Sequence, residues 1–399
     1  MKILQINITY GVGSTGKIVQ DIHNHLISRG IDSSVIYGRS QKIKQSNIYF
    51  IGSKLSFYID VILTRITGLV GFFSIVPTIK MIRHIVKVKP DIIHLHNIHG
   101  YYLNIPILFS FLIKYKHKIV LTLHDEFFFT GKCAHSKQCK KFEIECHDCP
   151  LVKDYPKSLG VDFTRFMYRA KKRWFEQLNI VKVVSPSIWL ETKLKRSILN
   201  LYPSLVINNG IDTSVFQYTN SNDYPSPIGK EKFIVLSVIS KLDDTNKGFH
   251  IVRRIAEESI GSDLVFVVIG FKKNAVNLPE NIIIIPRVEN QHQLADYYLS
   301  SDLYLMVSEI ETYPTVTLEA SAASLPILAY DAGGTRETII GVQGKVIPYN
   351  SPDTLNEIYK FKAIIQSNKY KKSINDKLNT IDRSNMINGY VSLYQGAVL

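Results

Sequence analysis

Two α/β domains, each a doubly wound parallel sheet, are what this sequence predicts. Three observations carry the expectation. Short β-branched runs alternate with helical patterns in the first half, nearly continuous apolar runs recur in the second, and a polar, turn-rich stretch separates them. With 399 residues, 45% hydrophobic and 21% charged, the chain has enough apolar surface for two cores of ordinary size, which argues against disorder.

The first set of strands reads KILQIN (2–7), DSSVIYG (32–38), DIIHLH (91–96), KIVLTLHD (118–125) and VKVVSPS (181–187). The second reads LVINNGID (205–212), FIVLSVI (233–239), LVFVVIG (264–270), NIIIIPR (281–287), LYLMVS (303–308) and LPILAYD (325–331). Uninterrupted apolar runs suit strands covered on both faces. The expected domains are 1–200 and 201–380, with the hinge between 195 and 232, where Asn220–Lys232 is rich in turn residues. A helical stretch over 381–399 is free to pack back on either domain.

Charge is unevenly spread. Residues 1–200 hold 30 Lys+Arg against 13 Asp+Glu, net +17, whereas 201–399 hold 18 against 21, net −3. Such asymmetry points to a first half that faces an anionic surface, nucleic acid or lipid. The opening MKILQINITYG has no long apolar region and reads as a strand, not a secretory signal. Leu55–Ile85 is the most apolar segment, but Asp60, Arg65, Lys80 and Arg83 interrupt it, so it is no spanning helix. Its Phe57, Tyr58, Phe72 and Phe73 fit either a surface-lying membrane segment or two helices around a Gly68–Gly71 turn.

Three clusters carry candidate chemistry. Gly11-Val-Gly13-Ser14-Thr-Gly16-Lys17 follows the first strand and opens a helical pattern, which suits close approach to a phosphate or sugar. A P-loop is excluded, because Ile18 stands where the magnesium hydroxyl is needed. In ISKLDDTNKGFHIV (239–252), Lys241 and Lys247 lie at the carboxyl end of a strand, where two cations can hold a diphosphate. In SEIETYPTVTLEASAASLPILAYDAGGTRE (308–337), Glu311 and Glu319 stand eight residues apart, with the N–H groups of a helix start between them. A buried Glu319 needs polar partners, and ribose hydroxyls can supply them.

The spacing from Glu311 to Glu319, the EAxAxxLPI run, GGTRE, Lys247-Gly248 and NNGID (208–212) together resemble the family-4 retaining glycosyltransferases of GT-B fold, over most of residues 1–345. That resemblance implies two Rossmann-like domains facing a central cleft. It also implies a nucleotide diphosphate sugar donor, of UDP or GDP type, held mainly by the second domain. Glu319 would meet the ribose, Lys247 the diphosphate, Glu311 the donor sugar, and the Thr315–Val316 backbone the phosphates. Gly13, Ser14 and Gly16 would approach the diphosphate from the first domain, and His124 would lie beside donor sugar and acceptor. Retention without a catalytic metal is implied as well. The chain departs from the family at Ser240-Lys241, where an Arg is usual; a single ammonium lacks the bidentate fork.

The remaining signals lie in the first half. His94, His96 and His99 have the period of a strand face and its end, a polar cleft wall or part of a metal site. All four cysteines, Cys133, Cys139, Cys146 and Cys149, fall in one short window. They fit a structural zinc site, two disulfides in an oxidising compartment, or free buried thiols. The basic first half and the aromatic segment point to a lipid-linked glycan acceptor at the anionic inner-membrane surface. The expected protein is therefore a cytoplasmic, peripheral membrane enzyme building capsule, exopolysaccharide or O-antigen, with no nucleic-acid partner. An NAD-dependent oxidoreductase would need an acidic residue ending the second strand, where Arg39 stands. A nucleic-acid-binding protein would leave the Glu311–Glu319 cluster without a role.

Overall fold

The computed structural model describes residues 1–218, 232–271, 277–367 and 375–398, so most of the turn-rich 220–232 stretch lies outside the described residues. The chain divides into two compact units, Met1–Asn208 with Met386–Leu399, and Asn209–Asn385.

In the first unit seven parallel strands form the sheet: β1 (Lys2–Asn7), β2 (Asp32–Tyr37), β3 (Ile48–Phe50), β4 (Ile92–Leu95), β5 (Lys118–Thr122), β6 (Ile180–Ser185) and β7 (Ser204–Val206). Their order is β3-β2-β1-β4-β5-β6-β7. The helices are α1 (Gly13–Ser28), α2 (Lys54–Thr67), α3 (Ile75–Val88), α4 (Ile105–Tyr115), α5 (Thr164–Phe175) and α6 (Ile188–Leu194). Alternation along each strand splits the side chains between two faces. Leu4, Ile6, Ile93, Leu95, Ile119 and Leu121 enter one core, and Ile3, Ile92, Val120 and Val184 the opposite one.

The second unit repeats the plan with β8 (Phe233–Lys241), β9 (Leu264–Phe271), β10 (Ile282–Ile285), β11 (Leu303–Met306), β12 (Ile327–Tyr330) and β13 (Gly344–Ile347). All are parallel, in the order β10-β9-β8-β11-β12-β13. Around them lie α7 (Thr213–Phe216), α8 (Phe249–Glu258), α9 (Gln291–Ser300), α10 (Thr315–Ala322), α11 (Thr354–Gln366) and α12 (Leu378–Ile381). The strand order reverses between β1 and β4 in one unit and between β8 and β11 in the other. The carboxyl ends of such strand pairs are where open α/β sheets receive ligands.

One reading of the sequence is corrected, and one pair of alternatives is narrowed. The run from 205 does not open the second sheet. Ser204–Val206 pairs with β6 as an edge strand of the first, so that sheet extends past residue 200. Apolar character alone does not choose between two sheets. The segment 55–85 forms two ordinary helices, α2 ending in left-handed Gly68. Asp60 is buried within α2 and accepts from Ser74 Oγ at 2.5 Å and Thr64 Oγ1 at 3.1 Å, which ties the helix to the start of α3. Among the described residues no helix is long and apolar enough to cross a membrane.

The last helix, α13 (Arg383–Val398), begins in the second unit and continues into the first. Met386, Ile387, Tyr390, Leu393 and Tyr394 recur at helical spacing and join the core containing Ile3, Ile18, Ile22, Ile92 and Val120.

Candidate active site

In the second unit the loops after β8 and β11 are drawn together by a glycine. Gly248 has φ +76°, and a Cβ there would lie 2.2 Å from the Val307 carbonyl oxygen, so only glycine permits the approach. Glu309 N–H donates to Asn246 O at 2.8 Å across the same junction. The result is a contact of 2.6 Å between Lys247 Nζ and Glu311 Oε1, with the side chains 30% and 18% exposed. Burial works against the ammonium. The field of Glu311, its hydrogen bond and Asp244 outweigh that and hold Lys247 above the ordinary lysine range. Glu311 is itself pinned by its backbone, donating to Ala332 O at 3.2 Å and accepting from Gly334 N at 2.9 Å. Lys241 ends β8, exposed to solvent.

Glu319 lies on α10, only 9% exposed, and accepts a hydrogen bond from Tyr298 Oη at 2.8 Å. The partner that burial demands of a carboxylate is thus a tyrosine from α9. Burial, then the field of Glu319, pushes the Tyr298 phenol well above its usual range. Tyr304 on β11 is shifted the same way by burial and by the fields of Glu319 and Glu311, so both carboxylates act on one residue. Thr315 and Val316 form the first turn of α10, which no side chain caps. Asn209 of the NNGID run donates to Tyr313 O at 3.2 Å, just before that turn.

In the first unit Gly11 and Gly13 adopt φ +69° and +71°. Gly16 packs where a Cβ would lie 2.7 Å from Thr9 Oγ1, and Gly11 N–H donates to Gly16 O at 2.9 Å. Helix α1 starts at Gly13, so exposed Ser14 belongs to its first turn.

Period two aligns Gln5, His94, His96, Thr122 and His124 on the sheet face that carries α13. His94 Nδ1 meets Tyr394 Oη at 2.6 Å and its Nε2 meets Thr122 Oγ1 at 2.7 Å. Tyr390 Oη also reaches Thr122 Oγ1, at 3.2 Å. His96 Nδ1 lies 3.0 Å from His124 Nε2, and His96 Nε2 lies 3.3 Å from Gln5 Oε1. Burial lowers all three histidines, His94 and His96 far below the usual range and His124 to about 4. Beyond the strands, His99 Nε2 contacts Asp125 Oδ2 at 2.6 Å. Burial raises the Asp125 carboxyl, but His99 and His135 more than compensate, leaving it below its ordinary value.

The cysteine window does not form a metal cage. The Cys133 and Cys149 thiols hydrogen-bond to each other, Cys146 Sγ accepts from Gly131 N at 3.2 Å, and all four cysteines are free. Among the described residues no group of three or more His, Cys, Asp or Glu side chains is arranged to hold a metal ion. Two buried lysines staple this loop instead. Lys132 Nζ donates to Val152 O at 2.5 Å and Pro156 O at 2.8 Å. Lys171 Nζ donates to Phe127 O at 2.5 Å and Thr130 O at 3.0 Å. Burial lowers Lys171 to about 7, against the fields of Cys146, Cys133 and Asp125.

The sequence reading did not single out Gln5, Thr122, Tyr298, Tyr390 or Tyr394. Gln5 had a usable signal, a polar residue at the centre of an apolar strand. The tyrosines gave none, because they reach the site from α9 and α13.

Twin parallel sheets with charged loops at one switch point and a glycine turn at the other define the GT-B class of glycosyltransferase. The chain belongs to glycosyltransferase family 4. The profile described as Glycosyltransferase Family 4 matches residues 15–215, just over half of the chain, and that described as Glycosyl transferases group 1 matches 220–377. One relative is the Escherichia coli (strain K12) protein named as a colanic acid biosynthesis glycosyl transferase, WcaC. It is 24% identical over 369 residues, 87% of each chain. Among solved structures, the sucrose-phosphate synthase of Thermosynechococcus elongatus superposes with TM-score 0.70 at 14% identity, covering 99% of this chain and 98% of that one. Anabaena HepE in complex with UDP and glucose does so with TM-score 0.64 at 13% identity, covering 99% and 100%.

Proposed function

We propose that this glycosyltransferase moves a hexose, with retention of anomeric configuration, from a nucleotide diphosphate sugar to a lipid-linked glycan in bacterial surface-polysaccharide synthesis. The observation that carries the donor assignment is the junction at Gly248, which holds Lys247 against Glu311 on the loops of one switch point. Lys247, supported by Lys241 and the Thr315–Val316 N–H groups, neutralises the departing diphosphate. Fixed charges and dipoles of this kind act without reorganising as charge develops. Glu311 accepts from hydroxyls of the donor sugar. Glu319, oriented by Tyr298, accepts from the ribose. Gly13, Ser14 and Gly16 bring backbone and hydroxyl to the diphosphate, and His124 attends the sugar. UDP is the first nucleotide to test, since HepE was solved with UDP and glucose, and GDP is the second. Calorimetry should show nucleoside diphosphate binding that Glu319→Leu weakens by about tenfold, one lost hydrogen bond to a charged group. Unchanged affinity would remove Glu319 from the ribose site. NMR of the product's anomeric proton tests retention.

The polysaccharide assignment rests on WcaC, whose name places it in colanic acid biosynthesis. The lipid-linked acceptor and the inner membrane rest on α2, where Leu55, Tyr58, Ile59, Ile62 and Ile66 are exposed along one stripe, within the half of the chain that carries net +17. Flotation with anionic vesicles should recover the protein at low salt and lose it as salt rises. Equal recovery with neutral vesicles would sink the electrostatic part.

A further inference from the structure

One strand out from the imidazoles, the carboxyl end of β2 carries an arginine. Arg39 N–H donates to Ile8 O at 2.8 Å, which ties the loop after β2 to the loop after β1. Gly100, after β4, has φ +107°, and a Cβ there would lie 2.1 Å from Ile8 Cδ1, so this third loop comes in only with glycine at that position. Arg39 Nη1 donates to Gly100 O at 3.2 Å, and the guanidinium carbon lies 3.8 Å over the centre of the Phe57 ring of α2. The head group is thus held from two sides.

Its charge is not matched. A guanidinium has five N–H donors, and Gly100 O takes one. Among the described residues no carboxylate forms an ion pair with Arg39, or with Arg65 of α2; the groups acting on Arg39 are the phenols of Tyr155, Tyr101 and Tyr58, and burial lowers it below the ordinary arginine range. Burial raises the Tyr101 phenol, and the fields of Arg65 and Arg39 pull it down against that of Asp60. Asp60 is already bonded to Ser74 and Thr64. Tyr101 and Tyr155 stand edge to face, with ring centroids 6.4 Å apart, and Tyr155 is 43% exposed. Ring walls around a few convergent donors are the usual make-up of a ligand site, and the carboxyl ends of strands are where this fold receives ligands. A cation drawn out of water in such a place is stabilised by an arriving anion.

We propose that Arg39 is a specificity-determining residue of the acceptor site, where its fork takes an anionic group of the acceptor, a sugar carboxylate or a phosphate of the lipid-linked diphosphate, beside the rings of Tyr101 and Tyr155. The inference deepens, and rests on, the reading in which this protein glycosylates a lipid-linked glycan. A planar guanidinium meets two oxygens of either group in parallel. Carboxylate and phosphate share that chemistry, and the probes below separate them.

The test uses the full chain with 15N-arginine labelling, the Nε signals of Arg39 and Arg65 being assigned by their loss in Arg39→Lys and Arg65→Lys. The probes are methyl glucuronide against methyl glucoside, and geranyl diphosphate against geraniol. At least one of the two anions should shift the Arg39 signal saturably, while its uncharged counterpart leaves it in place. A response to the glucuronide assigns Arg39 to a uronate of the acceptor glycan, and a response to geranyl diphosphate assigns it to the carrier's diphosphate. Read at Arg65, affinity for that anion should fall about tenfold or more in Arg39→Gln, the scale of losing a hydrogen bond to a charged group. The fall should be smaller in Arg39→Lys, which keeps the charge and loses the fork. The proposal is overturned if neither anion moves Arg39, if the uncharged counterpart moves it equally, or if folded Arg39→Gln binds as tightly as the parent. Calorimetry with UDP and GDP on the same samples reports separately on the donor reading. A nucleotide bound while Arg39 stays silent sinks this inference alone, whereas an Arg39 response with neither nucleotide bound keeps the anion site and removes the donor reading.

Discussion

The two switch points share a topology and differ in chemistry. Between β8 and β11 the chain places an ammonium and a carboxylate in contact, partly open to water. Between β1 and β4, and on to β5, it places three buried imidazoles in a row, His94 packed on His96 with ring centroids 3.8 Å apart and His96 hydrogen-bonded to His124. The first arrangement suits a ligand that arrives charged and leaves more so, because fixed charge stabilises the leaving group. The second suits hydroxyl groups, because a neutral ring can accept or donate at a defined nitrogen without attracting ions. One architecture thus divides its two ends between charge and hydrogen-bond direction.

The sharpest way to break this comparison is at the charged end. Lys247→Met should lower kcat/KM for sugar transfer by about 10²–10³, the usual effect of losing one preorganised charge, and the loss should appear mainly in kcat. A comparable loss confined to KM would mean that Lys247 only binds. At the neutral end the effect is on stability and runs with pH. The folded His124 titrates at about 4 against 6.5 for the free side chain, and His94 and His96 shift in the same direction. Between those values the unfolded chain binds more protons, so stability is full above pH 6.5 and is lost as pH falls through the window. Thermal unfolding followed from pH 7 to 4.5 should show this decline, with a shallower slope in His96→Asn. An identical slope would show that other groups govern acid unfolding. The smallest change, Tyr394→Phe, removes the 2.6 Å bond to His94 and should cost about 1–2 kcal/mol in urea denaturation.

Much of the charged end was legible in the sequence because its residues lie in two contiguous runs after strands, where spacing alone carries information. Lys247, Glu311 and Glu319 all appear there, and the Gly248 contact explains why the lysine is followed by glycine. The neutral end was legible only in part. His94, His96 and His124 share a strand-face period, but Gln5 and Tyr394 join them from 91 and 300 residues away, and pairing over such distances is set by strand order and helix docking. The cysteine window left zinc, disulfides and free thiols open, and closeness in sequence could not choose among them; the thiols are free, and the loop is held by Lys132 and Lys171, whose carbonyl partners have no sequence signature. The run at 205 joined the first sheet by pairing with β6, a choice of edge that composition does not encode.

Helix α13 imposes an order on biosynthesis. The groove bounded by Ile3, Ile18, Ile92 and Val120 is translated early, yet the residues that seal it, Met386 to Tyr394, leave the ribosome only after all of Asn209–Asn385. Until then the nascent amino-terminal half carries an open oily trench and His94 lacks its tyrosine. Packing of this half is therefore completed only after the second unit has been translated, and chaperone occupancy during elongation should concentrate on it.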